Sequence, residues 1–222
     1  MVDLHDEAGG GPWPAFADLL GATTLLFLIL FAAVAVPAIR RAGAADAREN
    51  TLKTLQQQLE LRADSSYVDV LRVGDYLLVR IEGDATFPLN RFELVQLKPE
   101  GKQILRDLGT SLRSDTLLSL IDQVQVVGHT SSEGSEERNW ILSASRAATV
   151  SLFLIDSVHI SPCQVSALGR SRYYPVDPKA AQDTRRIFEG DRRIELEIRP
   201  VVLGDTVQEG RRKNCVEERA GA

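Results

Sequence analysis

The sequence predicts one membrane-spanning helix joined to an α/β domain, an α/β sandwich with helices on one face of a mixed sheet. Three observations predict it. Residues Ala15 to Val36 carry a single ionisable group, Asp18, in an otherwise apolar run. From Tyr67 onward, short strand-like segments alternate with longer segments at helical spacing. The length, 222 residues, leaves room for one ordinary domain beside the helix. The overall figures, 44% hydrophobic and 26% charged with net charge −5, average these unlike pieces. The acidic balance argues against a nucleic-acid partner, which would want a basic face.

The apolar run is followed by Pro37 and the pair Arg40 and Arg41. About 20 apolar residues at 1.5 Å each cover the ~30 Å hydrocarbon core of a bilayer. A cleaved signal peptide is the rival, and Ala33-Val34-Ala35 resembles a cleavage site. The leader, however, carries Asp3, Asp6 and Glu7 where a signal peptide wants lysine or arginine, and the run exceeds the usual h-region of about 7–15 residues. The expectation is a cytoplasmic segment over 1–12, a helix spanning the bacterial inner membrane over 13–39, and a periplasmic remainder. Arg40 and Arg41 favour the opposite orientation by the positive-inside rule. A residue signature in the remainder of the chain, given below, is what overrules them.

Asp18 lies five residues beyond Trp13, an interfacial aromatic, or about 8 Å along a helix. A carboxylate at mid-membrane costs about 2.5–3.5 kcal/mol on insertion scales and less near the boundary. Two readings follow: an interfacial acid that reaches water, or a carboxylate against a partner helix or hydrated path that takes up and releases a proton. Gly21 and Ala22, one turn on, permit close helix contact. The string Trp13-Pro14-Ala15-Phe16-Ala17-Asp18-Leu19-Leu20, followed by an apolar run with Phe27 and Phe31, resembles the opening of the MotB family. That resemblance implies that Asp18 is the ion-carrying group of a stator-type motor. It also implies a homodimer of this chain inside a pentamer of MotA-like membrane subunits.

Residues 40–66 read as a helical linker. Leu52, Leu55 and Leu59 form a narrow apolar stripe on it, which fits packing on its own domain or, the reading favoured here, pairing in a tethered dimer. The linker is short for a flagellar MotB. The chain is in this respect more similar to the MotB-like subunits of Zorya anti-phage defence systems, whose partner is the ZorA-like membrane subunit. Thr23 and Thr24 are too generic to separate H⁺ from Na⁺.

The domain is expected over 67–200. Val68–Val73 and Tyr76–Ile81 flank Gly74-Asp75, a hairpin turn signal. Gln103–Leu112 has helical spacing at Leu105, Leu108 and Leu112. Asp122–Val127 is a short strand, Glu137–Ser157 a long amphipathic helix, and Gln164–Leu168 a further strand. Asp191–Ile198 alternates polar and apolar, as a half-buried strand does.

Val127-Gly128-His129-Thr130-Ser131-Ser132-Glu133-Gly134, then Asn139, Leu142-Ser143, Arg146-Ala147 and Val150, resembles the peptidoglycan-binding signature of the OmpA-like family. Gly169, Pro175 and Asp191-Arg192-Arg193-Ile194-Glu195 resemble that family's later elements, and the likeness runs from about Ile81 to Arg199. It implies a wall-binding site made of Thr130, Ser131, Asn139, Leu142, Arg146, Arg192 and Arg193, with Arg146 holding a carboxylate of the wall peptide. A guanidinium suits that role because its planar fork pairs bidentately with a carboxylate, which lysine does not reproduce. An ion pair of Arg146 with Glu133 or Glu137 is the competing structural reading. Two departures stand out: Ser131 replaces the family's aspartate, and Asp191 replaces its asparagine, with Ile187-Phe188 in place of a Gly-Arg pair.

Cys163 and Cys215 are too few for a disulfide scaffold and lack metal-ligand spacing. In a domain outside the cytoplasm one bridge between them is admissible, and two thiols remain the alternative. Residues 201–222 lack periodicity and read as disordered unless Cys215 ties them back. No cofactor is expected, and no nucleophile, base and acid occur as a set, so the chain is not read as an enzyme. His129 is read as structural.

Overall fold

The computed structural model describes residues 12–60, 66–114, 117, 119–177, 189–201 and 215. Its contacts divide the chain into two units, the first ending at Asp46 and the second beginning at Ala47. Ile187 and Phe188, and all of the tail after 201 except Cys215, lie outside the described residues.

Helix α1 runs from Trp13 to Glu60 with Pro37 inside it. In the first unit its apolar side chains face outward all round: Phe16, Leu19, Phe27, Phe31 and Val34 are each more than half exposed. A helix that is apolar on every face and buries none of it is suited to lipid rather than to a protein core. Its length and composition suffice to cross a membrane.

The second unit is built on a five-stranded sheet in the order β1-β2-β5-β3-β4. Strands β1 (Val68–Val73) and β2 (Tyr76–Glu82) form the expected hairpin, with Val73 opposite Tyr76 across Gly74 and Asp75. Gly74 takes φ +56°, a left-handed turn conformation that glycine adopts without Cβ strain. A single turn, α2 (Gly83–Thr86), and a 3₁₀ turn at Leu94–Gln96 lead to α3 (Pro99–Leu112). Strand β3 (Ile121–His129) connects through α4 (Glu136–Asp156) to β4 (Val165–Gly169), which lies parallel to it. Ser135 caps α4 by accepting the Arg138 N–H, and Glu136 and Glu137 occupy the first turn, where the helix dipole favours acids.

Strand β5 (Arg193–Pro200) fills the centre, antiparallel to both β2 and β3. The core lies between the sheet and its helices: Leu77, Val79, Ile81, Val124, Val126, Ile194, Leu196 and Ile198 meet Leu105, Leu108, Val150 and Leu154. Leu52, Leu55 and Leu59 belong to the same core and are 2%, 0% and 0% exposed. The end of α1 thus packs on its own domain, reinforced by ion pairs from Arg48 to Asp75 (2.5 Å) and from Arg72 to Glu49. This corrects the expectation that the leucine stripe pairs two chains: each leucine already fills a site in the domain core.

Strand β5 also departs from the half-buried pattern. Its polar residues Arg193, Glu195 and Glu197 are as buried as its apolar ones, because both neighbouring strands and their side chains close over them. Ion pairs compensate. Glu195 meets Arg193 at 2.7 Å and His129 at 3.0 Å, and Glu197 meets Arg170 and Arg199, each at 3.1 Å.

Helix α4 approaches the sheet most closely over two glycines. A Cβ on Gly128 would lie 2.1 Å from the Ser143 carbonyl oxygen, and one on Gly169 would lie 2.6 Å from the Ala144 nitrogen. Both positions therefore exclude every side chain larger than hydrogen. The Ser143 hydroxyl accepts the Ser171 N–H at 3.0 Å, so the helix also fixes the loop after β4.

Candidate functional site: a guanidinium pocket at the start of α4

The end of β3, the loop to α4 and the first turns of α4 enclose a pocket of about 180 Å³, completed by the 88–90 turn and Arg192. It is lined by Thr130, Ser131, Glu133, Gly134, Arg138, Asn139, Leu142, Arg146, Arg192, Leu89 and Asn90. Six of the seven residues proposed for wall binding thus come together in one concavity. They converge because β3 ends at the loop while α4 turns residues 138, 142 and 146 to one side at helical spacing.

Arg146 is the central group. It is 3% exposed, yet among the described residues no carboxylate pairs with it. Its Nε donates to the Arg91 carbonyl (2.9 Å) and one terminal nitrogen to the Pro88 carbonyl (3.1 Å), while the Phe87 ring lies 5.6 Å away. Neither Glu133 nor Glu137 forms the competing salt bridge among these residues. Burial, and secondarily the charge of Arg192, lower the Arg146 pKa to about 10. The two backbone bonds use part of a five-donor fork and fix its plane. The molecule thus holds a desolvated, oriented cation beside a cavity, an arrangement that an anionic ligand would relieve.

Arg192 sits across the pocket, paired with Asp84 at 3.3 Å. Its carbonyl accepts the Gly83 N–H at 2.7 Å, which fixes the backbone at this point. Asn139, 3% exposed, is a positioning residue: its amide donates to the carbonyls of Glu133 (2.9 Å) and Ser131 (3.4 Å) and pins the loop to the helix. Gly134 closes the loop at φ +88°. Thr130 and Ser131 are 3% and 4% exposed, and the Thr130 Oγ1 is buried without a hydrogen-bond partner among the described residues.

Arg193 is placed elsewhere. It is 4% exposed and donates to Glu195, to the Asp191 carbonyl and to the Tyr174 carbonyl. Successive strand residues point to opposite faces, so Arg192 and Arg193 cannot both reach the pocket. His129 is 1% exposed with Nε2 at 3.0 Å from Glu195. Burial lowers its pKa, against the pull of Glu195. Cys163 and Cys215 are joined, with Cα atoms 5.9 Å apart. Asp18 lies on the exposed surface of α1 in the first unit.

The residues that sequence reasoning missed are those of the 87–92 turn. Pro88 and Arg91 hold Arg146 through their carbonyls, and Phe92 holds Thr149 in the same way at 2.6 Å. A backbone acceptor leaves no residue-type signature. The one available hint is Phe87-Pro88-Leu89 with Asn90, an asparagine that adopts φ 58°.

Residues 87–187 match the model of the OmpA family. Outer membrane protein A of Bordetella avium is 35% identical over 107 residues, which are 48% of this chain and 51% of that protein. The chain spans about half the length of the curated relatives it matches. Among solved structures, the cell wall anchor of the T6SS from Pseudomonas aeruginosa is 25% identical. It superposes with a TM-score of 0.52 over 66% of this chain and 97% of that one. A MotB-like protein from Desulfovibrio vulgaris superposes with a TM-score of 0.58 over 73% of this chain and 96% of that one. At 17% identity, this second likeness concerns the fold alone. The chain joins an apolar helix long enough to cross a membrane to a domain of OmpA-like fold.

Proposed function

We propose that the chain is a membrane-anchored subunit that grips peptidoglycan through the Arg146 pocket while its N-terminal helix serves an ion-driven motor of the MotA/MotB type. The observation that carries the wall-binding half is Arg146 itself, a buried cation with no acid partner among the described residues, lining a cavity. A carboxylate of a wall peptide supplies the missing counter-charge. Two likenesses support the same reading: the match of residues 87–187 to the OmpA family and the fold shared with a T6SS cell wall anchor.

The motor half rests on Asp18 and the MotB-like string around it. In this reading two copies of the chain sit within a pentamer of MotA-like subunits, and protons pass by way of the Asp18 carboxylates. The grip on the wall keeps the dimer from turning, so that ion flow turns the ring. The spacing between helix and domain favours ZorB, the MotB-like subunit of a Zorya anti-phage system with a ZorA-like partner, over a flagellar stator. The rival is a passive inner-membrane anchor that conducts nothing.

Asp18→Asn separates motor from anchor, since the neutral isostere keeps shape and hydrogen bonding but cannot carry a proton. The expected outcome is full retention on isolated sacculi with loss of proton flux in vesicles holding the chain and its partner. Protection or motility that survives the substitution favours the passive anchor, and flux that survives it removes Asp18 from the ion path.

A further inference from the structure

The wall-binding reading leaves open which chemical form of the wall residue the pocket accepts. Three guanidiniums line it, from Arg138, Arg146 and Arg192, against one side-chain carboxylate, that of Glu133. Glu133 and Arg138 are both exposed, whereas the buried polar lining holds Arg146, the Asn139 amide, Thr130 and Ser131. Asp84, the partner of Arg192, is not among the lining residues. The buried polar wall therefore carries positive charge and neutral polar groups, with no buried carboxylate among the lining residues.

Such a wall treats the two ends of an amino-acid group differently. A carboxylate meets the Arg146 fork and the field of Arg192 and is favoured twice. An ammonium next to that carboxylate would lose its water close to like charges, with only neutral acceptors in the buried lining, and like charges at short range disfavour the charged form. An amide N–H at the same place carries no net charge. It needs only one acceptor, and the Ser131 hydroxyl and the Asn139 amide oxygen belong to the lining residues.

We propose that this pocket selects a wall-peptide residue whose carboxylate is free but whose neighbouring amine is acylated, as in a cross-linked stem, over the same residue with a free ammonium. The inference rests on the wall-binding reading and names the form of ligand that the site takes. Its consequence is attachment to mature, cross-linked wall rather than to unjoined stems.

Three synthetic tripeptides ending in diaminopimelate test it, titrated calorimetrically into the full-length chain in detergent micelles. One carries a free side-chain amine, one the acetylated amine, and one the acetylated amine with the adjacent carboxylate amidated. The expected order is acetylated over free amine by at least about tenfold in Kd, or about 1.4 kcal/mol, with no binding of the amidated form. Ser131→Asp, which adds a carboxylate to the buried lining, is expected to reverse the preference between the first two. Equal or tighter binding of the free amine overturns the selectivity while the carboxylate reading survives. Binding of the amidated form as tightly as the acetylated one, or of neither acetylated nor free form, removes the wall-binding reading and this inference with it.

Discussion

Replacing Arg146 by methionine separates binding from folding in an informative way. The side chain is 3% exposed and makes two hydrogen bonds, both to backbone carbonyls. Each such bond from a charged donor contributes roughly 1.5–3 kcal/mol. Against this stands the cost of burying the charge. A guanidinium whose pKa falls from 12.5 to about 10 is disfavoured in its charged form, by on the order of 3 kcal/mol relative to water. The two bonds together contribute roughly 3–6 kcal/mol, of which the burial cost offsets about half or more, and methionine fills a similar volume without either. The expected loss of folding stability is thus about 0–3 kcal/mol, whereas buried ion pairs that lose one partner cost roughly 3–5 kcal/mol.

Binding has no such cancellation. Loss of a bidentate, charge-assisted contact to a ligand carboxylate costs about 3 kcal/mol, or more than a hundredfold in Kd. Urea unfolding followed by circular dichroism measures the first quantity, and co-sedimentation of the full-length chain with purified sacculi measures the second. A variant that still sediments at wild-type concentration refutes the assignment of Arg146 to the ligand. A variant that unfolds by more than about 3 kcal/mol refutes the balance just drawn and makes the residue a fold pin.

Three further outcomes follow from the same geometry. Burial alone would raise the Glu195 carboxyl, but its bonds with His129 and the charge of Arg193 prevail and hold it at about 2 against an ordinary 4.5. Its contribution is therefore complete above about pH 4.5 and is lost as pH falls toward 2, on the order of 3 kcal/mol in all. His129, held below its ordinary 6.5 by burial, adds loss in the same direction below that pH. Glu195→Gln should flatten the fall of Tm between pH 5 and pH 3, and an unchanged slope would remove Glu195 from the account. Reduction of the Cys163–Cys215 bridge, which closes a separation of 52 residues, should lower stability by about 2–4 kcal/mol on chain-entropy grounds. Identical urea midpoints with and without dithiothreitol would show the bridge to be thermodynamically idle. Leu55→Ala, at a site with 0% exposure, should cost about 2–5 kcal/mol. A cost below about 1 kcal/mol would return the stripe to the intermolecular role first expected of it.

Much of this fold was legible because local chemistry and global packing agree. Gly74-Asp75 fixes a hairpin, and the spacing along α4 carries Leu142, Arg146 and Val150 to the positions that a helix on a sheet requires. The lining of the pocket was legible where a motif names its residues, as in Arg146, Asn139 and the Thr130–Gly134 loop. What escaped had partners invisible to a one-dimensional pattern. An alternating strand such as β5 reads as half-buried, because a sequence cannot announce that Glu195 and Glu197 will find Arg193, Arg170 and Arg199. The leucine stripe of α1 gives the same signal whether it meets a second chain or its own core. Arg192 and Arg193 are equivalent as letters, and only the alternation of side chains across β5 assigns one to the pocket and the other to Glu195.

The central place of β5 bears on how the sheet is joined. The hairpin of β1 and β2 is local in sequence, and β3, α4 and β4 are a second local unit, but within the sheet the two halves are linked only through β5, which lies between them. Val79 must wait for Leu196, so the closing contacts are distant in sequence and slow to form. β5 follows the other four strands in the chain, so the two halves of the sheet stay mechanically separate until that one segment joins them.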